Sequence, residues 1–161
     1  MDGQHEAEAA PATAGMTVLV TQLGERRVAL PLAHVVETMR PMPVEPVADA
    51  PPFVRGLGRI RGAAVPVLDG GLLVGERPAA ATRLVLLQVG EGERTVALAV
   101  DGVLGVALLD GAALAATPPL VDDGRARLQA VGVRDQQLML VLRTTRLVPD
   151  ELWAQLQAAA R

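Results

Sequence analysis

The apolar runs of this chain are short, and they end at charges or glycine. That rhythm limits the fold more than any other feature. A run of a few β-branched and aliphatic residues bounded by turn residues reads as a strand. Thr17 to Leu23 is one strand, Gly24-Glu25 a turn, and Arg26 to Leu32 a second strand, so the chain opens with a hairpin. Pro31 implies an edge position or the end of that strand. Arg83 to Val89, an acidic turn from Gly90 to Glu93, and Arg94 to Val100 make another hairpin. Ala33 to Met39 reads as a helical turn passing into a strand. Val103 to Leu109, Leu128 to Val133 and Gln137 to Leu142 read as further strands.

The stretch Val54 to Asp69 is a strand, a tight glycine corner and a second strand, with Gly56, Gly58 and Gly62 as punctuation. The five prolines between Pro41 and Pro52 remove too many donors for a regular ladder, so an extended loop is expected there. Gly70 to Ala81 is a loop with a short helix at Leu72-Leu73. Pro149 to Arg161 reads as a helix: Pro149 fits its first turn, Asp150 and Glu151 suit its positive end, and Leu152 and Leu156 share one face. About nine or ten short strands with close turns and one terminal helix predict an all-β barrel or sandwich. The two halves of the chain also look alike: hairpin, apolar strand, acid-glycine bend, proline-rich loop, closing pair of strands.

Composition removes several function classes. Half of the residues are hydrophobic, but the only aromatics are Phe53 and Trp153. The core must therefore be Val, Leu and Ala, and the platforms used for base stacking are missing. The net charge is -3, every basic residue is Arg, and the arginines are scattered rather than striped, so nucleic acid is not an expected partner. Without Cys there are no disulfides, thiolate metal sites or thiol nucleophiles. The N-terminal acids Asp2, Glu6 and Glu8 do not make a signal peptide, and no apolar run reaches the ~20 residues of a membrane span. A soluble cytoplasmic protein is expected.

Catalysis finds little support. The chain has no Ser, and His34 is the one His outside the N-terminal tail. No nucleophile is paired with a base by sequence, and His34 is expected to be half-buried or capping. Gly56-Leu57-Gly58-Arg59-Ile60-Arg61 nearly matches GxGxxG, but its sixth position is Arg61 and no long helix follows. A phosphate loop of the Walker type needs a Lys that the chain lacks. No cofactor or metal is expected.

A set of segments falls in a fixed order. Val20-Thr21-Gln22-Leu23-Gly24 runs on through Val28-Ala29-Leu30-Pro31; Val35-Val36-Glu37 follows; then Pro51-Pro52-Phe53-Val54-Arg55-Gly56, Gly56 to Gly62, and Val65-Pro66-Val67-Leu68-Asp69. In the second half come Ala97 to Val103, Leu128 to Val133 and Leu138 to Leu142. These segments resemble the CheW-like domain family, with its P-x-F-[IV]-x-G, G-x-x-N-L-R-G and V-[IP]-V-x-D patterns. The resemblance covers about residues 16 to 148. Arg59 stands where the family has Asn, Gly70-Gly71 where it has Leu-Arg, Ala130 where it has Gly, and Arg143 where it has Asp.

The resemblance implies two five-stranded SH3-like barrels sharing an apolar core. The expected division is a disordered tail over 1–15, a domain of two intertwined β subdomains over 16–148 and a helix over 149–161. It also implies a non-catalytic adaptor between a chemoreceptor signalling tip and the regulatory domain of the histidine kinase CheA, at membrane-associated receptor arrays. The departures leave open an adaptor for another chemosensory system, such as pilus or gliding motility, or one that localises signalling arrays.

Partner-binding candidates are Val35, Glu37, Gly56, Arg59, Arg61, Val103 and Val106. Arg61 is expected to be partly buried, either in a structural ion pair with Asp69 or Asp101 or at a partner groove. Glu37 is either a solvated strand charge or a partner contact. Val35, Val103 and Val106 are either core or an exposed apolar patch.

Overall fold

The computed structural model describes residues 15–90, 94–110, 128–134, 137–144 and 147–160, and the side chains of all these except 128–134 and 137–138. Of the tail expected over 1–15, residues 1–14 lie outside the described residues, as do residues 111–127. The strands are β1 (Met16–Leu23), β2 (Arg26–Pro31), β3 (Val35–Met39), β4 (Val54–Ile60), β5 (Ala63–Asp69), β6 (Arg83–Val89), β7 (Arg94–Val100), β8 (Gly102–Leu109), β9 (Leu128–Arg134) and β10 (Gln137–Leu142). They form two five-stranded sheets, ordered β8-β1-β2-β10-β9 and β3-β6-β7-β5-β4. Pro31 marks the end of β2, which is an interior strand. A 3₁₀ turn at Leu32–His34 leads into β3, and a short helix spans Gly70–Leu73.

The sequence halves are not the two barrels. Each hairpin, β1–β2 or β6–β7, sends the next strand across to the other sheet: β3 pairs with β6, and β8 with β1. The closing pairs cross as well, with β5 parallel to β7 and β10 parallel to β2. The two halves therefore follow one path, and their registers agree. Val67 lies opposite Ala97 as Val141 lies opposite Ala29. The register breaks between Val35 and Glu37 and again between Val103 and Gly105, leaving Val36 and Leu104 as bulge residues at matching positions.

The alternation of side chains explains why nearly every strand is apolar on both faces. Val18, Val20, Ala29, Met139 and Val141 point into a small core of the first sheet. Leu84, Leu86, Ala97, Ala99, Val65 and Val67 do so in the second. Their neighbours Leu19, Val28, Leu30, Val85, Leu87, Val96, Leu98, Val100, Leu140 and Leu142 turn the other way into one core shared by both sheets. Fully burying a Leu or Val side chain is worth about 1.5–3 kcal/mol. With so many of the large side chains in the shared layer, neither sheet keeps a sufficient core without the other.

The terminal helix, Asp150–Ala159, seals this shared layer with Leu152 and Leu156. Asp150 and Glu151 occupy its first turn as expected. Arg94 holds its start, pairing with Asp150 at 2.8 Å and lying 5.3 Å from the Trp153 ring centroid. The proline-rich segment departs from expectation at one point. Glu45 makes an isolated two-bond bridge to Leu57, at 2.9 and 2.8 Å, which pins the loop against β4.

Candidate functional site

The corner between β4 and β5 is a two-residue turn. Ile60 pairs with Ala63, and Arg61 and Gly62 both have positive φ, 51° and 81°. Two positive φ values define the type I′ hairpin turn, whose twist matches that of the strands. Gly62 suits its position; Arg61 adopts its conformation at a cost, because its Cβ crowds the backbone there. The Arg61 guanidinium pairs with Glu37 on β3, and Arg59 donates to the Gly62 carbonyl at 3.2 Å. β3 and β4 are opposite edges of the second sheet. The Glu37–Arg61 pair therefore links the two ends of the curled sheet at its rim.

This corrects the expectation for Arg61. Its side chain is 66% exposed, and neither Asp69 nor Asp101 is its partner. Asp69, 2% exposed, belongs to Arg55, whose Nε and Nη2 donate to Oδ2 at 3.0 and 2.8 Å. Its Oδ1 accepts from the amides of Leu72 and Ala79, both at 3.0 Å. One carboxylate thus joins β4, the N-terminus of the short helix and the following loop. Asp101 accepts from the Gly24 amide at 2.6 Å and from Ala80, tying the first hairpin turn to the loop before β6.

Replacing Arg61 by Asn separates the costs at this turn. Asn tolerates positive φ and is favoured here, and an exposed ion pair contributes about 0–1 kcal/mol. Arg61→Asn is expected to leave the thermal midpoint unchanged or raise it by a few degrees. A fall corresponding to more than about 1 kcal/mol would show that the pair with Glu37 holds the barrel rim closed.

The other candidates separate into two groups. Gly56 is buried with φ 145°, and a Cβ there would lie 2.2 Å from the Glu45 carbonyl oxygen, so it serves the bridge to the proline-rich loop. Gly70 and Gly71 are likewise set by packing: a Cβ on them would lie 2.7 Å from the Ala99 oxygen and 2.1 Å from the Arg77 oxygen. Val35 and Val103 occupy matching positions in the two halves, half-buried against the shared core. Val106 is 60% exposed.

Val106 does not stand alone. Among the described residues the exposed large hydrophobics are Val36, Leu104, Val106 and Leu108, all on the two strands that cross between sheets. Val106 and Leu108 alternate with buried Ala107 and Leu109 along β8, an edge strand of the first sheet. Leu104 at the bulge extends the stripe. The sequence reading did not single out Leu104, Leu108 or Val36. Their signal is weak, since buried and exposed residues of β8 are equally apolar.

His34 is half-buried at the end of the 3₁₀ turn, and its Nδ1 meets the Thr144 hydroxyl. That contact resembles a base beside a nucleophile, but Thr144 is 2% exposed, and no described carboxylate contacts the ring. Among the described residues no group of three or more His, Cys, Asp or Glu is placed to hold a metal. No described helix is long and apolar enough to cross a membrane. The surface chemistry on offer is an apolar stripe, a half-buried valine pair and a charged rim at Glu37, Arg59 and Arg61.

Comparison with known proteins finds the same architecture. The family model for the CheW-like domain matches residues 17–152. The chemotaxis protein CheW of Klebsiella aerogenes is 23% identical over 151 residues, spanning 92% of this chain and 91% of that protein. A crystal structure of the scaffolding protein TtCheW from Thermoanaerobacter tengcongensis superposes with a TM-score of 0.69 at 21% identity, covering 81% of this chain and 90% of that one.

Proposed function

The chain belongs to the CheW-like domain family, and from that premise we propose that it is a non-catalytic adaptor coupling chemoreceptors to the histidine kinase CheA. The observation that carries this reading is the exposed stripe Leu104, Val106 and Leu108 on an edge strand. Exposed apolar side chains in a row, beside charged groups, suit a protein partner rather than water. A helix laid across them buries the row and leaves its polar face outward. Val35 and Val103 line the start of the two crossing strands, and Glu37, Arg59 and Arg61 supply the polar rim that orients a partner. The partners in this reading are a chemoreceptor signalling tip and the CheA regulatory domain. The place of action is the cytoplasmic face of receptor arrays.

A second reading, an adaptor for a pilus or gliding system, rests on Arg59 and Arg143. Both are charges that differ from the resembled pattern, and both remain at least partly exposed. Gly70 and Gly71 no longer support it, because backbone packing accounts for them. Pull-downs with the receptor tip and with the CheA regulatory domain test the first reading. Binding to at least one is expected, and binding to neither overturns it. Capture of a receptor from a motility cluster in preference to one from a chemotaxis operon favours the second.

A further inference from the structure

Beside the β8 stripe lies a cavity of about 480 Å3, walled by Met16, Pro31 and Leu142 and carrying Thr17, His34 and Arg143 on its lining. Thr17 pairs with Leu108 across β1 and β8. Side chains directly opposite in an antiparallel pair share a face, so the cavity opens next to the stripe. It falls in the size range of ligand-binding pockets.

Arg143 is the unusual group. By register it occupies in the first sheet the place that Asp69 occupies in the second, one residue past the matching Leu142 and Leu68. Asp69 is saturated by Arg55 and two amides. Arg143 is half-buried, and among the described residues it makes no ion pair or hydrogen bond. A guanidinium partly removed from water gains from a carboxylate that meets its planar fork. His34 and Thr144 already engage one another, which leaves Arg143 as the open charge of the cavity.

We infer that this cavity receives an Asp or Glu side chain from the partner segment that covers the β8 stripe. The inference rests on reading that stripe as a partner face. The occupant is a helix whose apolar residues lie on Val106 and Leu108 and whose acid reaches Arg143. β1 and β2 lie between β8 and β10, and neighbouring strands lie about 5 Å apart, so about two to three helical turns separate the acid from the apolar contacts.

The test measures affinities of the chemoreceptor signalling-tip fragment and of the CheA regulatory domain for the wild-type chain and for Val106→Asp, Arg143→Gln and Arg143→Glu. The fragment that loses binding on Val106→Asp is the relevant one. With it, Arg143→Glu is expected to weaken binding about tenfold or more, and Arg143→Gln by less and with a shallower salt dependence. Replacing one acid of that fragment by Arg restores binding to Arg143→Glu. Melting curves establish that the variants fold; should Arg143→Glu fail to, Arg143→Gln carries the comparison. Val106→Asp losing affinity while both Arg143 variants stay within twofold of wild type overturns the acid site and leaves the stripe intact. Neither position mattering overturns both.

Discussion

Replacing Asp69 by Ala is expected to destabilise the fold by about 3–5 kcal/mol, the range seen when one member of a buried ion pair is removed. The side chain is 2% exposed and gathers four hydrogen bonds from β4, the short helix and the loop at Ala79. Its loss leaves Arg55 without its carboxylate and strands the amides of Leu72 and Ala79. Water reaches Arg55, which is 29% exposed, and recovers part of that cost. It does not reach the buried end at Ala79. Asp69→Asn keeps an acceptor for the two amides and loses the charge, so a smaller loss of about 1–3 kcal/mol is expected. Native stabilities of about 5–15 kcal/mol make the alanine variant marginal. Urea unfolding midpoints at equal slope give the comparison; a loss below about 1 kcal/mol for Asp69→Ala would contradict the role assigned to this carboxylate.

Val106→Asp is expected to act in the opposite manner, sparing the fold and removing the partner. The side chain is 60% exposed, so its replacement shifts stability by no more than about 0.5 kcal/mol. In a complex it places an unpaired carboxylate under an apolar partner face. Residues at the centre of such faces contribute 2 kcal/mol or more, so affinity falls by about thirtyfold or more. Thr38 holds the matching position on β3 and is itself polar, which makes Thr38→Asp a suitable control. Equal losses from both substitutions would contradict a site specific to β8.

The hairpins were legible because their turns are written in glycine and charge: Gly24-Glu25 in the first and the acidic turn after Val89 in the second. The exchange of β3 and β8 between sheets was not. An alternation of side chains says which face of a strand is covered but not which neighbour it meets, and Val35–Met39 and Val103–Leu109 read alike in either topology. The stripe was hidden for the same reason. Val106, Ala107, Leu108 and Leu109 form one apolar run, and only the edge position of β8 leaves two of them uncovered.

Charge pairing was the least legible level. Asp69 closes its strand as expected, but its partner is Arg55 and not Arg61. The register of β4 against β5 slips between Val54 and Gly56, so Arg55 sits in a bulge beside the strand end that carries Asp69. A bulge is invisible without the pairing itself. The apolar strand that flanks Arg61 argues for a place inside the protein. Its positive φ instead puts it at the tip of a turn, where Glu37 from a distant edge reaches it.

The adaptor claim is a claim about bridging, and bridging is directly measurable. An immobilised CheA regulatory domain is incubated with a soluble chemoreceptor signalling-tip fragment, with and without this chain. The account predicts that the receptor fragment is retained only when the chain is present, and that Val106→Asp abolishes the retention. Retention of the fragment independent of the chain, or none in its presence, would contradict it.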